Sequence, residues 1–346
     1  MPILDKEDLE KKEQLKKFLK NSEYANFYQS FEWANIKSDK WDNAFVYLEE
    51  NKKIIGVALV LIRKLAKGFT IMYIPRGPVV DSYNIDLIKK LLNEMNPLIK
   101  KYKPFVVKFD PEVTYDEKLE KLYLKNGFRV KSDFKDILEL MRPIRSMVLN
   151  IKNKTKDEII SEYGQKTRYN IKVAIKNNVK VRYSREEEDL KKFYELMLIT
   201  AKRDDIAVRS YNYFKKIIEE FKDNSRIYLS EHNGKCLAAA IAVNYGKCVT
   251  YFYGGSSNED RNLMPCYIMQ QNMINWALET ECTKYDFGGI FNVTKDNGLY
   301  RFKAGFCKKD GPTKYIGEID KVYNPIKYYI FCNILPKIKK LIMKIN

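Results

Sequence analysis

Histidine is nearly missing from this chain: of 346 residues, one, His232, carries an imidazole. A Ser-His-Asp triad, a Cys-His pair and most catalytic metal sites are thereby almost excluded. The segment Glu231-His232-Asn233-Gly234 reads instead as a hairpin turn. Cysteine is sparse, and Cys236, Cys248, Cys266, Cys282, Cys307 and Cys332 are scattered without any pair at two-residue spacing. Neither zinc ligation nor a secreted disulfide framework is indicated. No Gly-x-Gly-x-x-Gly or P-loop pattern occurs, which removes the usual nucleotide cradles. Residues 1–20 mix acids and bases without the apolar centre of a signal peptide, and no apolar run could span a bilayer. The expected location is cytoplasmic. Acidic residues are also short, 45 against 63 basic, leaving a formal charge of +18.

What is present describes a globular protein, with 45% hydrophobic and 31% charged residues. The length suggests two domains. The positive charge favours a polyanionic partner such as RNA, a phosphorylated substrate or an anionic membrane, although a lysine-rich compositional bias gives the same number.

The pattern of elements repeats. A charged helix over about 6–20 leads to an aromatic segment over 29–41. A hairpin over 44–49 and 54–62 follows, then a strand over 70–74 stopped by Pro75-Arg76-Gly77-Pro78. The spacing then predicts a helix over 84–102, a strand over 105–109 and a helix over 116–126. The order recurs as a helix over 156–177, a strand over 179–183, helices over 186–202 and 211–221, and a hairpin over 227–231 and 236–243. A strand over 248–253, a helix over 265–281 and a strand over 285–287 complete it. Lys53 and Lys235 open equivalent strands, and the later strands near Phe105 and Tyr285 keep nearly the same offset. Two copies of one mixed α/β unit are expected, with the chain returning to the first copy after Gly311-Pro312 and the punctuation at 320–325.

Several clusters could carry chemistry. Tyr285-Asp286-Phe287 reads as a strand ended by Gly288-Gly289, and Lys303 sits among Phe302, Phe306 and small residues, where an ammonium could face a developing anion. A buried corner with solvated bases is the plain alternative. Arg168, Lys172 and Lys176 recur every four residues on one helix face, with Ile171 and Ile175 on another, which suits a phosphate-backbone track or simply a solvated face. Arg209 and Tyr213 flank a helix start and could grip a diphosphate. Tyr251-Phe252-Tyr253 runs into the small-residue loop Gly254-Gly255-Ser256-Ser257. Residues 321–346 hold six lysines and no acid among apolar residues, fitting a terminal helix packed on the protein or one lying on an anionic membrane.

Taken in order, Trp33-Ala-Asn-Ile-Lys37, Tyr73-Ile-Pro-Arg-Gly-Pro-Val79, Lys108-Phe-Asp-Pro111, Tyr253-Gly-Gly-Ser-Ser257, Met264-Pro-Cys-Tyr267, Tyr285-Asp-Phe-Gly-Gly-Ile290 and Gly298-Leu-Tyr-Arg-Phe-Lys303 resemble the Fem family. These are the peptidoglycan interpeptide-bridge aminoacyltransferases. The resemblance implies an α/β fold of two tandem acyl-CoA N-acyltransferase (GNAT)-like domains facing one cleft, each a mixed sheet flanked by helices. The expected domains are 1–145 with 318–346, and 146–317. It implies transfer of an amino acid from aminoacyl-tRNA to the stem-peptide amine of UDP-MurNAc-pentapeptide or lipid II, with a peripheral contact to the inner membrane surface open. An aminoacyl ester is already activated, so no cofactor or metal is expected. Carried over by position, Lys37, Arg209, Tyr213 and Tyr253 match the precursor's phosphate contacts, and Phe302 falls among the substrate-binding residues. Asp110 matches a cleft carboxylate, a catalytic candidate that could hold or accept the acceptor amine's proton unless the substrate supplies its own base. Lys303 matches the lysine that stabilises the oxyanion. Arg168, Lys172 and Lys176 are candidate tRNA contacts. The 186–222 stretch is too short for the coiled-coil arm of some members, so the compact form is expected. The rivals are an acyl-CoA-dependent N-acyltransferase and an inactive basic RNA- or membrane-binding protein.

Overall fold

The structure is a computed structural model that describes residues 2–65, 68–134 and 141–334. The chain divides into two compact units, one formed by Met1–Ile144 with the segment that starts at Lys314, the other by Arg145–Thr313.

In the first unit β1 (Asp42–Glu50) and β2 (Lys53–Lys64) form an antiparallel hairpin. Its two turn residues, Asn51 and Lys52, both take positive φ, the twist that a two-residue hairpin turn requires. Next come β3 (Thr70–Ile74), antiparallel to β2, and β4 (Val106–Phe109), parallel to β3. The sheet ends on β5 (Arg129–Lys131), and β13 (Glu318–Val322) inserts between β4 and β5. Lys108 of β4 holds the returning strand through Glu318 and Asp320, both at 2.7 Å. Of the flanking helices, α1 (Leu9–Asn21), α2 (Phe31–Lys37), α3 (Ile85–Glu94), α4 (Asn96–Tyr102) and α5 (Glu117–Lys125), three contribute Ile88, Leu91, Leu98, Leu119 and Tyr123 to a core with Val60, Met72 and Val107. The stretch 84–102 is two helices rather than one, because Pro97 in the first turn of α4 has no N–H to continue the ladder of α3.

The second unit repeats this scheme with β8 (Ser225–His232), β9 (Lys235–Tyr245), β10 (Cys248–Ser256) and β11 (Lys284–Gly289), paired antiparallel, antiparallel and parallel. Asn233 and Gly234 make the hairpin turn with positive φ. The neighbour of β11 is β6 (Arg145–Asn150), and β7 (Lys180–Ser184) and β12 (Pro312–Lys314) complete the order β12-β6-β11-β10-β9-β8-β7. On one face α10 (Pro265–Glu279) covers Ala238, Ala240, Ala242 and Tyr285. α8 (Glu187–Asp204) and α9 (Tyr211–Phe221) pack on β8, β9 and β10, and the six residues between them leave no room for a long arm.

The expected helix over 156–177 is broken into α6 (Lys156–Glu162) and α7 (Gln165–Lys176). Gly164 turns extended there, and its N–H donates to the Gly305 carbonyl at 2.8 Å in α11 (Gly298–Phe306). Four short strands, β5, β6, β12 and β13, escaped the sequence pattern; β13 occupies part of the stretch taken as punctuation. Each is six residues or fewer and lacks a long alternation to mark it. Ile175, expected on an apolar face, is 59% exposed, since α7 buries Thr167, Asn170, Ile171 and Ala174 instead. α12 (Pro325–Tyr329), the last α-helix among the described residues, runs into a π-helical turn, Ile330–Ile334, and the apolar residues expected beyond it, with Pro336, lie outside the described residues.

Candidate functional site

In the second unit β10 and β11 run parallel, and the pair parts at its C-terminal end. β10 and β11 stay in register from Cys248 opposite Lys284 to Thr250 opposite Asp286, after which β10 follows β9 alone. A crevice at the carboxyl ends of diverging parallel strands is where open α/β sheets bind ligands. Here β11 bends sharply: Gly288 has φ +80°, a conformation that disfavours any residue with a Cβ. Asp286 fixes the bend, its Oδ1 accepting from the Gly288 N–H at 2.8 Å and from the Ser146 hydroxyl at 2.6 Å.

The bend turns two carbonyls toward Lys303, whose ammonium donates to Gly288 O at 3.2 Å and to Gly289 O at 3.1 Å. Asn297 caps α11 by accepting from Tyr300 N, which sets the phase that places Lys303 one turn before the helix ends. Lys303 is 4% exposed. Burial lowers its pKa to about 8, with nearby Asp286 pulling the other way. Two of the three ammonium N–H bonds are used, and the third has no acceptor among the described residues. The arrangement is a desolvated cation, still charged at neutral pH, with one donor to offer. Phe302 is half-buried, and its ring sits edge-on to Tyr267 and Phe306.

A second group gathers at the start of α9. Ser210 caps this helix, Arg209 just before it is exposed, and its guanidinium lies 5.7 Å from the Tyr213 ring centre. The Tyr253 hydroxyl reaches that of Tyr213 at 3.5 Å, and its ring meets Phe214 edge-on. Tyr251 and Tyr253 do not share a strand face, contrary to simple alternation. A bulge at this point sets Tyr251 opposite Ala242 and Tyr253 opposite Ile241, so Tyr251 packs into the α10 core and Tyr253 faces α9. The structure therefore brings Arg209, Tyr213 and Tyr253 together.

In the first unit the corresponding parallel pair, β3 and β4, ends at Ile74 opposite Phe109. The next residues carry an internal ion pair. Asp110, 2% exposed, accepts from the Tyr73 hydroxyl at 3.0 Å and the Arg76 N–H at 2.8 Å, while its other oxygen lies 3.7 Å from the Arg76 guanidinium. Burial raises the pKa of Asp110, against the pull of Arg76 and Arg142. Gln29 clamps the same turn, bonding Pro75 O and Leu59 N at 2.7 Å each. Lys37 ends α2 with its ammonium 5.4 Å from the Trp33 ring.

On α7, Lys172 and Lys176 are exposed, as is Tyr169 one turn before Lys172. Arg168 differs: its guanidinium donates to the Ser161 and Tyr163 carbonyls and so closes the C-terminus of α6. Sequence reasoning passed over Asp286, Ser146 and Arg76. Only Asp286 had a local signal, since Asp two residues before a positive-φ glycine is an Asx-turn pattern.

These features can be set beside known proteins. The FemAB family model matches residues 10–235 and 230–335. The UDP-N-acetylmuramoylpentapeptide-lysine N(6)-alanyltransferase of Weissella viridescens is 32% identical over 336 residues, spanning 95% of this chain and 98% of the relative. The lipid II:glycine glycyltransferase of Staphylococcus epidermidis is 28% identical, with 95% of each chain covered. The crystal structure of FemX superposes with TM-score 0.85 at 25% identity, covering 96% of this chain and all of that one. A tandem GNAT protein from the clavulanic acid biosynthesis pathway shares the fold at TM-score 0.54, 10% identity and 93% and 98% coverage. With a family model that runs almost end to end and a relative this similar over its whole length, the chain belongs to the FemAB family.

Proposed function

We propose that this protein transfers an amino acid from aminoacyl-tRNA to the stem-peptide amine of a peptidoglycan precursor, forming an interpeptide bridge or branch. The observation that carries the reading is Lys303, a desolvated ammonium with one free donor at the crevice of the second unit. The names of the relatives support the acceptor, since one acts on UDP-N-acetylmuramoylpentapeptide and another on lipid II.

In this mechanism the neutral acceptor amine attacks the ester carbonyl of the charged tRNA. A tetrahedral oxyanion forms, and Lys303 donates its third N–H to it. Collapse forms the amide and breaks the ester C–O bond, and the ribose oxygen leaves with the proton the amine gives up. One such donor is worth about 2.7–4 kcal/mol in the transition state. Lys303→Met should therefore lower turnover roughly 100-fold or more while leaving precursor affinity nearly intact; a near-normal single-turnover rate would refute the assignment. Asp110 serves by holding the turn at Arg76, because both its oxygens are already engaged or face a cation. Asp110→Asn should then cost less than about tenfold in kcat, whereas a general base would cost 100-fold or more.

Arg209, Tyr213 and Tyr253 bind the precursor diphosphate at the α9 N-terminus, where backbone N–H groups add to the guanidinium. Lys37, on the first unit, is a further phosphate contact, and Phe302 shapes the wall beside Lys303. Lys172 and Lys176 contact the tRNA backbone, with Arg168 supporting them by tying α7 to the end of α6. The exposed Ile326, Tyr329 and Ile334, followed by a lysine-rich tail, form a peripheral contact with anionic lipid. Sedimentation with vesicles of anionic against neutral lipid tests that contact, and equal pelleting refutes it. The deciding experiment for the whole reading is transfer with a panel of charged tRNAs and UDP- or lipid-linked acceptors. Product with any pair supports it, and none with every pair refutes it.

A further inference from the structure

We propose that Asp286, backed by Ser146, is the positioning residue of this site: its carboxylate locks the Gly288 bend whose two carbonyls hold the Lys303 ammonium in place. The inference rests on the reading of Lys303 as the partner of the oxyanion.

A lysine reaches its target through four rotatable bonds, so a bare ammonium is poorly aimed and loses entropy when fixed. Here the aim comes from the backbone. The Gly288 and Gly289 carbonyls approach the ammonium from the β11 side and leave its third N–H pointing elsewhere. Those carbonyls are themselves set by Gly288 at φ +80°, outside the strand geometry of its neighbours. One carboxylate oxygen secures that departure: Asp286 Oδ1 takes the Gly288 N–H and, from β6, the Ser146 hydroxyl. Ser146 is 2% exposed, so water does not compete for this bond. A Cβ at Gly288 would stand at ordinary contact distance, 3.8 Å from the Lys303 ammonium and 3.5 Å from the Tyr251 carbonyl, so it is the positive φ that makes glycine suited to the bend.

The same carboxylate sustains the charge it aims. The titratable groups near the Lys303 ammonium are Asp286 on β11 and the thiol of Cys307, the residue that follows α11. Burial pushes that thiol well up and keeps it neutral, so Asp286 supplies the only charge opposing desolvation of the lysine among the described residues.

The test compares Asp286→Ala with Asp286→Asn in the full-length protein. Asp286→Ala removes both the anchor and the charge, and should lower kcat tenfold or more with each KM within about threefold. Asp286→Asn keeps an oxygen that can accept from Gly288 and Ser146 but carries no charge. It should restore most of the lost rate below pH 7 and bring the basic limb of the pH profile down by about one pH unit or more. A purely structural role would not move that limb. A second readout does not depend on transfer. In protein labelled with 13C at lysine Cε, the Lys303 resonance, assigned by its loss in Lys303→Met, should titrate at lower pH in Asp286→Asn than in the wild type. Asp286→Ala with wild-type kcat, or a Lys303 titration unmoved in Asp286→Asn, overturns the proposal. If the protein transfers no amino acid at all, the functional reading falls while the titration still decides the role of Asp286. If Asp286→Ala does not fold, the Asn variant decides alone.

Discussion

Replacing Lys303 by methionine should make the protein more stable at neutral pH even as it lowers turnover roughly 100-fold or more. The buried ammonium has its pKa lowered from 10.5 to about 8. At about 1.4 kcal/mol per pH unit, keeping it charged in the fold costs about 3 kcal/mol. Methionine has similar length and no charge, so this cost disappears. Against that, the Gly288 and Gly289 carbonyls lose a donor; both residues are half-exposed, and about 1 kcal/mol is a fair total. The net expectation is about 2 kcal/mol of stabilisation of the second unit at pH 7. The sign with pH follows from linkage. Below about pH 8 the lysine is protonated in both folded and unfolded chains, so the full cost applies. Between pH 8 and 10.5 the unfolded chain binds the proton more tightly, and the wild type gains stability relative to the variant as pH rises. Urea unfolding of both proteins at several pH values from 6.5 to 10.5 measures this. A difference that favours the wild type at pH 7, or one that stays constant with pH, would refute the assignment of a desolvated ammonium.

Arg209→Ala should weaken binding of a UDP-linked precursor about tenfold or more by calorimetry, since it removes a charge-assisted phosphate contact, and should leave thermal stability unchanged because the side chain is exposed. Reversing Lys172 and Lys176 to glutamate should raise the KM for charged tRNA and flatten its salt dependence without altering the acceptor KM; an unchanged salt slope would remove α7 from the RNA path. Lys108→Met should destabilise the first unit by about 3–5 kcal/mol in urea, because it leaves Glu318 and Asp320 buried without their cation.

The repeated order of elements was legible because hairpins and amphipathic helices carry their own local signals. Asn233-Gly234 marks a turn, and the offset between Lys53 and Lys235 marks the repeat. Strands β6 and β13 were not legible, since each earns its place by pairing with a strand far away in sequence. The same holds at the site. Lys303 stood out through its aromatic and glycine neighbours, but the Ser146–Asp286–Gly288 chain joins β6 to β11 and is a product of tertiary pairing. The bulge separating Tyr251 from Tyr253 has no sequence signature either, because nothing in Tyr-Phe-Tyr announces an extra residue.

The place of β13 in the first sheet bears on how this protein is made. A ribosome that has released the first 145 residues has delivered β4 and β5 without the strand that lies between them. The open flank of β4, with its lysine lacking both carboxylates, waits through synthesis of the entire second unit before Glu318–Val322 emerges. The later-made half can close first, and the earlier half stays exposed to proteases and sticky partners in the meantime. A nascent chain stalled short of residue 318 should thus be cut selectively within its first 145 residues, and truncated products of this enzyme should be cleared rather than accumulate as half-active fragments.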